Sequence, residues 1–152
     1  MEVTQLTPTD ISAFTIAECE KSFALILRRL LDILKKKATS PAERALVDRC
    51  NQRIHTLITT SGSGRLIALS HVKIIALREP ITKRDEEYFK GNARSLIGDS
   101  GGDSGDSFLN ELIQMVQTQY VAAKKAEQDV VYQLFYNMFL ICVQYALGGG
   151  SR

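Results

Sequence analysis

Apolar positions recur at helical spacing through most of the chain, and the longest such run is residues 107–147. That run contains neither glycine nor proline and ends at Gly148-Gly149-Gly150. Leu109, Ile113, Val116, Tyr120, Ala123, Val130, Leu134 and Ile141 trace a heptad-like stripe, interrupted by Glu127 and Asn137. Val131, Phe135, Met138 and Cys142 add a second stripe, so the last turns are apolar nearly all round. The pattern predicts one unbroken helix, capped by Asp106 or Ser107, that would reach roughly 60 Å. A helix apolar on every side needs cover on every side.

The rest of the chain reads as shorter helices. Residues 1–8 form an extended lead-in ending at Pro8, and Thr9 or Asp10 caps the first helix. Phe23, Leu27, Leu30 and Leu34 then recur at spacings of four, three and four, with Ile26 and Leu31 widening the stripe. Arg28, Arg29 and Asp32 lie away from its centre. Lys35, Lys36 and Lys37 suit the negative end of that helix's dipole. Ser40-Pro41-Ala42-Glu43 is a capping box with proline where its missing N–H costs nothing, and it starts the second helix. Leu46, Cys50, Ile54 and Leu57 share a face of it. The short link makes these two helices an antiparallel hairpin.

The run Thr59-Thr60-Ser61-Gly62-Ser63-Gly64 predicts a break. Leu66-Ile67-Ala68-Leu69, Val72, Ile74, Ile75 and Leu77 follow. They predict a buried third helix to about Arg78, with a β-branched strand over residues 71–77 as the competing reading. Pro80 ends this element in either case. Thr82 and Asp85 cap a short helix through Tyr88 and Phe89. Residues 98–106, rich in Gly, Asp and Ser, read as a flexible loop, and residues 148–152 as a glycine-rich tail. The expectation is one all-α domain over residues 1–152, a bundle of four to five helices with a long C-terminal helix.

Composition narrows the class of function. At 45% hydrophobic and 24% charged residues, the chain is ordinary for a globular protein. A net charge of +2 is too small to predict a specific nucleic-acid partner. Residues 1–97 carry 16 Lys/Arg against 11 Asp/Glu, and residues 98–152 carry 3 against 6, so positive charge sits in the N-terminal part. Cys19, Cys50 and Cys142 form no C-x-x-C pair and lie in apolar helical patterns, which reads as buried thiols in a reducing, intracellular compartment. No secretory signal is visible at Met1-Glu2-Val3-Thr4.

Apparent catalytic motifs lose force in their surroundings. Gly98-Asp99-Ser100-Gly101-Gly102 spells the nucleophile loop of chymotrypsin-like proteases, but the chain lacks the strands of such a barrel, and His55 and His71 lie in helical segments. Gly105-Asp106-Ser107-Phe108-Leu109 resembles the GDSL hydrolase box, yet no histidine follows His71. An EF-hand register ending at Glu111 puts Ser100, Gly102 and Ser104 where carboxylates or amides belong. Gly62-Ser63-Gly64-Arg65 lacks the lysine and spacing of a phosphate loop. His55 and His71 have no local ligand partner. No catalytic, cofactor or metal residue is assigned, and the chain is read as a non-enzyme.

Val130 to Leu147 carries no charge and approaches the length of a membrane span, which makes a tail anchor through residues 130–147 the alternative reading. Gln133, Asn137 and Gln144 argue instead for a helix packed in protein. Ile81, the run Arg84-Asp85-Glu86-Glu87-Tyr88-Phe89 and the aromatic-rich C-terminal helix resemble small uncharacterised helical proteins of large DNA viruses. That resemblance implies a virion or assembly component without catalytic residues. The expected function is protein–protein interaction, with a partner protein or by self-association. The expected contact residues are Leu134, Phe135, Met138, Phe139, Cys142 and Tyr145.

Overall fold

The computed structural model describes residues 7–89 and 107–148 of the chain. It is the all-α bundle that the patterning predicts. Eight helices are present among the described residues: α1 (Pro8–Ser12), α2 (Ile16–Lys37), α3 (Pro41–Ser61), α4 (Ser63–Ala76), α5 (Arg78–Thr82), α6 (Glu86–Phe89), α7 (Ser107–Ala122) and α8 (Lys125–Ala146). The number exceeds the expected four to five because several joints are only one to three residues long. The Gly/Asp/Ser loop at 98–106 lies outside the described residues, as do most of the predicted lead-in and of the glycine-rich tail.

Two capping boxes organise the N-terminal end. Thr7 accepts from the Asp10 N–H at 3.1 Å while the Asp10 carboxylate accepts from the Thr7 N–H at 3.0 Å. Thr7 therefore caps the first helix instead of Thr9 or Asp10, and Pro8 opens that helix instead of closing a lead-in. Thr15 and Glu18 repeat the arrangement at the start of α2. Along α2, the stripe of Phe23, Leu27, Leu30 and Leu34 is fully buried, and Ile26 and Leu31 are buried beside it.

Ser40 caps α3 as expected, accepting from the Glu43 N–H at 3.1 Å. The reciprocal bond is displaced by one residue: Glu43 accepts from the Thr39 amide at 2.8 Å. That bond, with others from Thr39 and Ser40, holds the Glu43 carboxyl below its usual range. The predicted break over residues 59–64 narrows to Gly62, whose φ of 85° suits a residue without a Cβ. Residues 71–76 of the segment are helix, not strand. The helix ends at Ala76, earlier than expected, and Pro80 falls in the first turn of α5, where no amide is needed. Asp85, not Thr82, caps α6, accepting from the Glu87 N–H at 3.0 Å.

The predicted single rod from Ser107 to Leu147 is two helices. Lys124 is extended, with φ −72° and ψ 160°, and separates α7 from α8. Glu127 accepts from the Lys124 N–H at 3.2 Å and so caps α8. The Gln128 amide donates to the Tyr120 carbonyl at 2.7 Å, joining the Ala123 N–H on that acceptor at the end of α7. Glu127 also pairs with Lys37 at the end of α2. At the far end, Gln144 donates to the Phe14 carbonyl at 3.0 Å. These two ties make α8 antiparallel to α2. It packs chiefly on α2 and α4, with α1 and α5 completing its cover. Gly148, at φ 92°, ends α8 by donating to the Tyr145 carbonyl.

Candidate interaction groove

The six residues expected to contact a partner face inward. Leu134, Phe135, Met138, Phe139 and Cys142 belong to the core of the chain, and Tyr145 is half-buried with its ring edge against His71. The cover that the sequence demanded comes from helices of the same chain. Polar groups on α8 are accommodated the same way: Gln133 donates to Asn137 at 3.0 Å, and Tyr132 donates to the Ile81 carbonyl at 2.6 Å. Among the described residues no helix is long and apolar enough to cross a membrane.

An apolar groove lies one turn away, at the α7–α8 elbow. A groove of about 630 Å³ opens between the end of α2 and this elbow. Half-buried Ile33 lines it over a floor of buried Leu34, Val116 and Val131, and Ala122, Ala123 and Ala126 keep that side shallow. Val130, a member of the heptad-like stripe, is 39% exposed here. Arg29, Lys37 and Lys124 are the cations of the groove, against the single carboxylate of Glu127. Bonds from the Lys37 side chain and the Lys124 amide hold the Glu127 carboxyl below its usual range.

The polar side chains along the groove are already committed. The Gln119 amide donates to the Leu34 carbonyl at 2.7 Å and so finishes the C-terminus of α2. The Tyr120 hydroxyl donates to Glu86 at 3.0 Å and accepts from the Arg84 guanidinium at 3.1 Å. Arg84 further pairs with Asp129 at 2.8 Å and lies over the Tyr132 ring at 4.7 Å. This node ties the α5–α6 turn to both arms of the elbow. Burial raises the Tyr120 hydroxyl above its ordinary range, with Arg84 opposing the rise and Glu86 adding to it. Arg84 holds this position at φ 48°, a left-handed conformation that costs a non-glycine residue about 1–2 kcal/mol.

The strain allows the side chain and the backbone to be tested separately. Arg84→Ala is expected to lower stability by about 1–3 kcal/mol through its lost hydrogen bonds and ring contact. Arg84→Gly loses the same contacts but relieves the backbone, and should recover about 1 kcal/mol relative to alanine. Urea unfolding of the two variants measures the difference.

Other candidate chemistry does not converge. Ser100 lies outside the described residues, and Ser107 opens α7. His55 is exposed on α3, whereas the His71 ring nitrogen approaches the Ile67 and Ala68 carbonyls of its own helix. Cys19, Cys50 and Cys142 are buried, and burial pushes the first two thiols up to about 11, as expected of protonated core cysteines. Among the described residues no three His, Cys, Asp or Glu side chains gather as a metal site.

The groove is not legible from the apolar stripes, although its elbow carries a local signal. Residues 122–128, Ala-Ala-Lys-Lys-Ala-Glu-Gln, contain no large apolar side chain and cannot hold a helix to a core. Lys124 and Glu127 also stand at capping distance there. Comparison with known protein families, curated proteins and solved structures gives no match to this chain.

Proposed function

We propose that the protein is a non-enzymatic helical interaction protein that docks a partner protein in the groove between α2 and the α7–α8 elbow. The observation that carries this reading is the apolar lining of that groove on a chain that already covers its own C-terminal helix. Exposed apolar concavities rimmed by charge are where helical proteins receive partners. The resemblance carried by residues 81–89 and the C-terminal helix suggests virion assembly as a setting for such docking.

The test is a photo-crosslinking residue at Val130, on the groove, with the same residue at exposed Val72 as a control. The expected product in the native host is an adduct joining the chain to one further protein, formed from position 130 and lost when Ala126→Arg fills the groove. Equal adducts from both positions, or none from position 130, would remove this reading.

A further inference from the structure

The chemistry of the groove restricts what can occupy it. A small polar ligand is held by a few convergent donors and acceptors set in an apolar wall. Here those groups are spent. Gln119 is bound to Leu34, Tyr120 to Glu86 and Arg84, and Glu127 to Lys37 and the Lys124 amide. What remains is apolar wall and a net excess of positive charge. Arg29 and Lys124 are exposed on the groove and form no ion pair among the described residues, so three cations face one carboxylate. Ala122, Ala123 and Ala126 allow another backbone to come close, as at helix contacts built on small residues.

An amphipathic helix uses such a surface fully. Its aliphatic residues at i, i+3/i+4 and i+7 enter the apolar floor, and its flanking residues meet the rim. The rim charge selects acidic flanks, because like charges at close range oppose docking while opposite charges raise the rate of encounter. We propose that the groove receives an amphipathic helix of another protein whose apolar stripe is flanked by Asp or Glu, with those carboxylates meeting Arg29 and Lys124. This rests on the docking reading above and adds the chemical class of the partner.

Synthetic amphipathic helices test it on the intact chain. One peptide carries a leucine stripe flanked by glutamate, and its twin carries the same stripe flanked by lysine. Fluorescence anisotropy reads their binding. The glutamate peptide should bind at least tenfold more tightly than the lysine peptide and weaken as salt rises. The double variant Arg29→Glu, Lys124→Glu should invert the preference, and Ala126→Arg should abolish binding of both. These variants are on exposed positions, and circular dichroism checks that they fold. If the lysine peptide binds as well or better, the acidic partner is wrong while docking at the groove stands. If neither peptide binds, or Ala126→Arg leaves binding unchanged, docking at the groove falls as well. If polyglutamate without leucines competes equally, the site reads only charge and the helix proposal fails.

Discussion

A Leu134→Asp chain is expected to be unfolded at 25 °C and pH 7. Leu134 is fully buried on α8, among the helices that cover it. Removing its side chain forfeits about 1.5–3 kcal/mol of burial. An unpaired carboxylate in the same place costs several kcal/mol more. Together these approach the whole stability of an ordinary domain, about 5–15 kcal/mol. The introduced carboxyl would titrate higher in the folded chain than in the unfolded one. Its penalty is therefore greatest at neutral pH and shrinks as pH falls toward the unfolded value, so helical signal should partly return near pH 4. Val130→Asp, one turn earlier, should cost less than about 1 kcal/mol, because Val130 faces the groove. Far-UV circular dichroism of the two variants decides. If both unfold, or neither does, α8 is not oriented as described.

Phe89→Ala should carry the second largest effect. Phe89 closes α6 and is fully buried. Its ring meets Tyr88 and Tyr120 at 5.4 Å, Tyr132 at 5.6 Å and Phe135 at 5.9 Å between centroids, three of these edge-on and one tilted. One side chain thus joins α6, α7 and α8. Truncation leaves a cavity among rigid rings that cannot close around it, and costs about 3–5 kcal/mol. For a chain of this size the midpoint of thermal unfolding should fall by about 10 °C. A fall of only a degree or two would mean that the ring cluster does not hold α6 on the bundle.

These positions show which parts of the fold can be read from the residues. Stripes recurring every three or four residues report which face of a helix is buried. That is why Phe23, Leu27, Leu30 and Leu34 could be assigned to the core from their spacing. A stripe does not report where a helix stops when the stop contains neither glycine nor proline. The joint at Ala123-Lys124 is made by Glu127 and Gln128 capping it and by Lys37 from α2, the last a contact between distant parts of the chain. Glu127 is therefore a stop signal, although it reads locally as a flaw in a heptad. What shelters Leu134, Phe135 and Met138 is not legible from the stripe for a related reason. Their need for cover is local, but the supply of cover depends on how α1, α2, α4 and α5 assemble. The groove was hidden by the same limit, because Arg29, Ile33 and Lys124 meet only after the elbow has formed.

The underlying claim is that this chain folds its apolar C-terminal helix back along α2 and covers it without help. Zero-length carbodiimide cross-linking of the dilute protein tests this most directly, because Lys37 and Glu127 are already paired across that contact. The expected result is a cross-linked peptide joining Lys37 to Glu127 in material of monomer mass. Finding that link only in material of twice the mass, or not at all, would mean that α8 is sheltered by another chain or lies elsewhere, and would contradict the arrangement described.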